Sequence, residues 1–176
     1  VTPTSSTSQQ TILARHVSTV GNGFLVLMLA DGKIRWEPYG KWTGTDYYTA
    51  SATTCTISGK TLTTSAAIAD GARSHLAFVR RSQAFEIYLN GTLSCTAPFT
   101  GTWEDADPIV SPDNLVLGAH YSEASATSAT FDLFQGKIEE PKIYELALSA
   151  KTIAVLSTMI GATQTVRTTQ KLHIIS

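Results

Sequence analysis

The segment FEIYLNGTLSCTA, residues 85–97, restricts this chain more than any other. Asn90-Gly91 stands between two runs in which apolar and polar side chains alternate. Asn and Gly accept the positive φ of a two-residue turn, so the pair forces the flanking runs into an antiparallel hairpin. The same grammar recurs along the chain. GFLVLMLA and KIRWEP flank Asp31-Gly32, and YYTASATTCTIS and KTLTTSAAI flank Gly59. TILARH, SHLAFVRR, NLVLGAH and the stretch FDLFQGKIEEPKIYE read as further strands. Short strands separated by turn signals every eight to twelve residues or so predict an all-β, two-sheet antiparallel β-sandwich.

One segment departs from this period. In LSAKTIAVLSTMIG, Ser149 is a helix cap, Ile153, Leu156 and Ile160 share a face, and Gly161 marks the end. The expected organisation is one sandwich over residues 1–161 with a short helix near its end. A strand-like tail, TQTVRTTQKLHIIS, occupies most of residues 162–176.

Composition removes several classes of function. The 176 residues are 43% hydrophobic and only 15% charged, with net charge -1. That is a folded chain without the basic excess that nucleic acid requires. The longest apolar run, Phe24 to Ala30, is far shorter than the roughly 20 residues of a membrane helix. Cys55 and Cys95 both fall in Thr/Ser-rich strand text. They fit two buried thiols as well as one disulfide, because sequence separation does not determine the distance between two Cβ atoms.

The ordered segments resemble the laminin-G-like, concanavalin-A-like jelly-roll domains. SHLAFVRRSQAFEIYLNGTL is similar to that family's paired central strands, with His75, Ala77, Tyr88, Asn90 and Gly91 matching in order. NLVLGAH matches a strand ending at Gly118, and FQGKIEEPKIYELALSAKTI matches the closing signature through Gly136, Ile138 and an acidic pair. Pro141 departs from the pattern. It lacks a ladder donor, so a bulge or an edge position is expected there. The resemblance implies a module of an extracellular or surface protein that takes carbohydrate or another surface as partner. The rival is a structural domain of a virion, appendage or matrix that contacts other protein chains. It also implies strands ahead of TILARH that VTPTSSTSQQ supplies only in part. The tail, a partner chain or an upstream segment is then expected to complete the sheet, with self-association through the open edge.

Catalysis finds little support. Glucanases of this architecture, by resemblance, place acids at alternate positions of one strand, as two carboxylates on one glycosidic bond require. In WEDADP only Asp105 and Asp107 share a strand face, and Pro108 breaks the strand. A non-catalytic domain is expected. Two segments are candidate sites. Tyr39, Trp42, Asp46, Tyr47 and Tyr48 lie in Gly-rich text where flat rings can stack on a sugar and Asp46 can hydrogen-bond it. Glu104, Asp105, Asp107, Asp113 and Asn114 supply the hard oxygen ligands of calcium, although a solvated acidic loop has the same composition. Glu139 and Glu140 are a second, weaker calcium candidate. Asn90-Gly91-Thr92 is a glycosylation sequon, but the hairpin needs Asn-Gly with or without a glycan.

The aromatic segment yields a direct prediction. Trp42→Ala abolishes ligand retention and leaves the thermal midpoint nearly unchanged. A loss of about 3–5 kcal/mol in stability, as for an aromatic removed from a core, contradicts the ligand role.

Overall fold

The structure, a computed structural model, describes residues 1–5, 7–17, 22–39, 41–42, 55–58, 61–98, 103–104, 115–121 and 130–159. Its larger sheet has six antiparallel strands. In spatial order these are β12 (Val116–Leu117), β2 (Gln10–Val17), β3 (Asn22–Met28), β4 (Lys33–Tyr39), β7 (Thr61–Ala67) and β6 (Cys55–Ser58). The smaller sheet orders β10 (Thr92–Pro98), β9 (Ala84–Leu89) and β8 (Leu76–Arg81). Three two-stranded ladders complete the set. β1 (Thr2–Pro3) pairs with β15 (Gly136–Lys137), β5 (Lys41–Trp42) with β11 (Trp103–Glu104), and β13 (His120–Tyr121) with β14 (Thr130–Phe131).

The hairpins form where the turn residues stand. Gly32 takes φ +76° between β3 and β4, and Asn90 and Gly91 take +50° and +80° between β9 and β10. Of the glycosylation sequon, Asn90 thus belongs to this turn and Thr92 opens β10. The Asn90 side chain has a structural task as well, since its Oδ1 accepts from His75 N at 2.8 Å.

Alternation sorts the side chains. On β9, Phe85 and Ile87 point into the core and Leu89 packs against it, while Glu86 and Tyr88 take the opposite face. From the six-stranded sheet come Ile12, Val26, Met28, Ile34, Trp36 and Leu62. Trp36 lies edge-on to Phe85, with centroids 5.1 Å apart at 89°, and to Phe78 at 5.7 Å and 65°. Such T-shaped contacts match the positive ring edge to the negative ring face. The core-facing reading of Trp36 holds.

Buried polar groups repair the ladders. The register slips between Lys33 and Arg35, and there Thr64 Oγ1 accepts from Ile34 N at 3.0 Å and donates to Ala66 O at 2.7 Å. Gln10 Oε1, buried, accepts from Gln135 N at 2.8 Å and ties β2 to the closing segment. Unpaired, these donors and acceptors would each cost about 1–3 kcal/mol.

Helix α1 (Ala150–Thr158) starts as expected, with Ser149 Oγ accepting from Thr152 N at 3.1 Å. It turns out shorter, because Met159 already caps it before Gly161. Ile153 is the buried anchor, packed with Val79 and Tyr88 on the outside of the three-stranded sheet. Arg81 reinforces the seat by donating to Glu86 Oε2 at 2.8 Å and to Leu148 O at 3.1 Å.

Three strand expectations change. NLVLGAH is divided at Gly118, whose φ of +72° ends β12 and redirects β13 to a new partner. The closing KIYE segment forms no strand: Glu140 adopts φ +49° and Pro141 lacks an N–H, so the ladder stops at Lys137. Of YYTASATTCTIS, the described part is Cys55–Ser58. The tail 162–176 lies outside the described residues.

Cys55 of β6 and Cys95 of β10 are bonded, with Cα atoms 5.2 Å apart. The bond fastens an edge of one sheet to an edge of the other across a sequence separation of 40. A loop of that length removes about 4 kcal/mol of denatured-state entropy in the chain-entropy view. Thiol titration of the denatured, unreduced protein should therefore find no free sulfhydryl, and reduction should lower the melting temperature by on the order of 10 °C. Two titratable thiols, or an unmoved melting temperature, contradict this.

Candidate functional site

The inner face of the six-stranded sheet is used up by the core, so a ligand must approach its outer face or its rim. Register defines that outer face, because directly opposed residues share a side. One row runs Thr11, Leu27, Arg35, Thr63, Thr56 across β2, β3, β4, β7 and β6. A second runs Val116, Ala14, Leu25, Glu37 across β12, β2, β3 and β4. Ala14, Leu25 and Leu27 are buried and form an apolar cluster separate from the main core.

Onto that floor β4 places two opposite charges. Arg35 Nη1 lies 3.6 Å from Glu37 Oε1, and 34% of the Arg35 side chain remains exposed. Arg35 Nε, by contrast, is enclosed and has no hydrogen-bond partner among the described residues. The exposed part of the guanidinium is the part that can meet a planar acceptor such as a carboxylate. The hydroxyls of Thr63 and Thr56 extend the row on its far side. Thr11 Oγ1, at the near end, is also buried without a partner among the described residues.

Alternation along KIRWEPY carried the signal for this face. Once Trp36 points inward, Arg35 and Glu37 must point outward. What composition could not show is that Leu25 and Leu27 are buried beneath them, since GFLVLMLA reads equally well as a strand with one solvated face.

The sequence-derived sites are distributed as follows. Tyr39 closes β4, and Trp42 lies in β5. In the β5–β11 ladder Trp42 is opposite Trp103 and Lys41 is opposite Glu104. The backbone thus brings the aromatic segment and the start of the acidic segment side by side, beyond the end of the strand that carries Arg35. Asp46, Tyr47, Tyr48, Asp105, Asp107, Asp113 and Asn114 lie outside the described residues. Among the described residues no three His, Cys, Asp or Glu side chains converge as a metal site would need. Glu139 and Glu140 have cationic neighbours instead: Arg73 Nε stands 3.2 Å from Glu139 Oε2, and Lys142 Nζ 3.5 Å from Glu140 Oε2.

The chain belongs to the concanavalin A-like lectin/glucanases superfamily, whose laminin-G-type family model matches residues 1–154. A search of curated protein sequences found no match. Among solved structures, the chain is similar to the CBM40 domain of the Ruminococcus gnavus IT-sialidase bound to α2,3-sialyllactose. The TM-score is 0.64 at 19% identity, over 89% of this chain and 78% of that one. The unliganded form of the same domain gives 0.63 at 19% over 88% and 77%, and the α2,6-sialyllactose complex 0.61 at 18% over 88% and 78%. At these identities the likeness establishes a shared fold. Among the described residues no helix is long and apolar enough to cross a membrane.

The enclosed hydroxyl of Thr11 provides a check on this face. Thr11→Val keeps the shape and removes an unpaired polar group, so stability should hold or rise by about 1 kcal/mol. A denaturant midpoint that falls by more than this amount would mean that the hydroxyl has a partner.

Proposed function

We propose that this chain is a non-catalytic carbohydrate-binding module that takes an acidic glycan on the outer face of its six-stranded sheet. One observation carries the reading: Arg35 presents a partly exposed guanidinium on the outer face of the six-stranded sheet, beside Leu25 and Leu27. Charge-assisted, two-pronged recognition of a carboxylate is what such a group does best. Thr63 and Thr56 offer hydroxyls along the same row. Support also comes from the likeness to a domain solved with sialyllactose, a glycan whose sialic acid carries a carboxylate. Trp42 and Tyr39, at the rim beyond β4, are the platform for a second sugar unit.

An extracellular or surface-displayed setting is part of this proposal, supported by the Cys55–Cys95 bond, which persists in oxidising compartments. Calcium at Glu104–Asn114 and adhesion as the cellular role belong to the same reading. A second reading, a structural or assembly domain, is favoured by the apolar side chains left exposed at Ile143 and Leu146.

A glycan array carrying sialylated, uronic-acid and neutral sugars, probed with and without calcium, tests the proposal. Wild-type protein should retain acidic glycans, and Arg35→Ala should weaken them roughly 10- to 100-fold, the worth of a charged hydrogen bond. Retention of neutral glycans alone, or an Arg35→Ala variant that binds undiminished, overturns it. Loss of binding on calcium removal would assign the ion to the acidic segment.

A further inference from the structure

The turn that joins β9 to β10 is held from two sides. Asn90 N donates to His75 O at 2.8 Å, and Asn90 Oδ1 accepts from His75 N at 2.8 Å. Backbone and side chain of one residue are thus both fastened to the residue just ahead of β8. On the other side lies α1. A Cβ added to Gly91 would strike Ser157 Oγ and lie 2.9 Å from Ala154 Cα, closer than two carbons stand unless something moves. Positive φ at both residues, +50° at Asn90 and +80° at Gly91, sets the peptide between them in the orientation of a two-residue hairpin turn.

The helix that closes this seat is lightly held. Its nine residues are too few for a helix that stands alone in water, so docking has to maintain it. Ile153 is its one buried residue, packed with Val79 and Tyr88. Ser149 caps its start, and Arg81 donates to the carbonyl of Leu148 just ahead of it. Val155 and Met159 stay exposed. A unit with so few buried groups opens locally at a lower free energy than the whole domain unfolds.

We propose that Asn90-Gly91 is a deamidation site gated by α1, and that its conversion to isoaspartate unseats the helix for good. Asn before Gly suits this reaction because Gly has no side chain to crowd the attacking nitrogen. Asn90 is exposed, so water reaches it. Gly91 N gives up its proton and attacks Asn90 Cγ, the side-chain nitrogen leaves as ammonia, and a five-membered imide closes. Water then opens the imide at either carbonyl, leaving aspartate or isoaspartate at position 90. The attack requires Gly91 N to swing towards Asn90 Cγ. Contact with Ser157 and Ala154 blocks that swing while α1 is seated, and the bond from His75 N to Asn90 Oδ1 holds the side chain in place. Aspartate keeps the length of the main chain and an acceptor for His75 N. Isoaspartate adds a carbon to the main chain beside Gly91, where not even a Cβ has room, so the helix cannot return to its seat.

Peptide mapping of the bacterially expressed full chain, incubated at mildly alkaline pH in heavy-oxygen water, tests this. The chain's other Asn-Gly pair, Asn22-Gly23 at the start of β3, is the internal reference. Ser149→Ala and Ile153→Val loosen α1 without removing a large side chain. Each should speed label uptake at residue 90 roughly three- to tenfold and leave residue 22 unchanged. Ile34→Val lowers the stability of the main core by a similar amount and should leave both rates alone. In the isolated isoaspartate form the α1 amides should exchange with solvent roughly tenfold faster than in the unreacted protein, whereas Asn90→Asp keeps them as protected as wild type. Equal rates at residue 90 in wild type, Ser149→Ala and Ile153→Val overturn the proposal. So does acceleration by Ile34→Val, which would assign the gate to global unfolding. An isoaspartate form whose helix stays protected overturns it as well.

Discussion

Trp36 is the contact on which the two sheets depend. Its ring projects from β4 between Phe78 of β8 and Phe85 of β9 and meets both at an edge. An indole buries more apolar surface than any aliphatic side chain, and edge contacts limit how the opposed sheet can slide. The flanking positions follow from it. With Trp36 inward, Ile34 is inward as well, opposite Met28, while Arg35 and Glu37 are outward, opposite Leu27 and Leu25. One buried ring therefore sets the registry of the core and the orientation of the charges on the other side of the same strand.

The remaining ties join the edges of the sandwich. The disulfide joins the β6 and β10 edges of the two sheets, with Cys95 buried in the core between them. At the opposite side, Gln10 and the β1–β15 ladder join the closing segment to the sandwich through hydrogen bonds. The helix covers the outside of the three-stranded sheet, with Ile153 inserted between Val79 and Tyr88. That leaves the outer face of the six-stranded sheet as the surface with an apolar floor and a guanidinium above it. One sheet is thus roofed by a helix, and the other carries Arg35 and Glu37 on its outer side.

How far this was legible from residues alone varied with the range of the interaction. The Asn90-Gly91 and Asp31-Gly32 hairpins were readable because a positive φ is demanded locally. The Ser149 cap was readable because it depends on neighbours within a turn, and the helical period put Ile153 on the apolar face. The end of α1 was expected at Gly161, whereas Met159 already caps the helix after Thr158, with its N–H donating to Leu156 O. The KIYE strand was expected from a family pattern, but Glu140 and Pro141 break the ladder before it starts. The two candidate segments were recognised as chemistry without a location, and the β5–β11 register brings Trp42 and Glu104 into one ladder.

By itself the sequence determined the class of fold, the positions of the hairpin turns, the start of the helix and which face of each strand is apolar. All of these rest on backbone preference and on periods of two or about 3.6 residues, which are properties of short stretches of chain. Only the tertiary structure decided that Cys55 meets Cys95, that Thr64 patches a slipped ladder, and that Arg35 stands over Leu27 with its Nε enclosed. Those depend on which strands become neighbours and in what register. Many distant segments settle that question together through burial, and no one of them carries it alone.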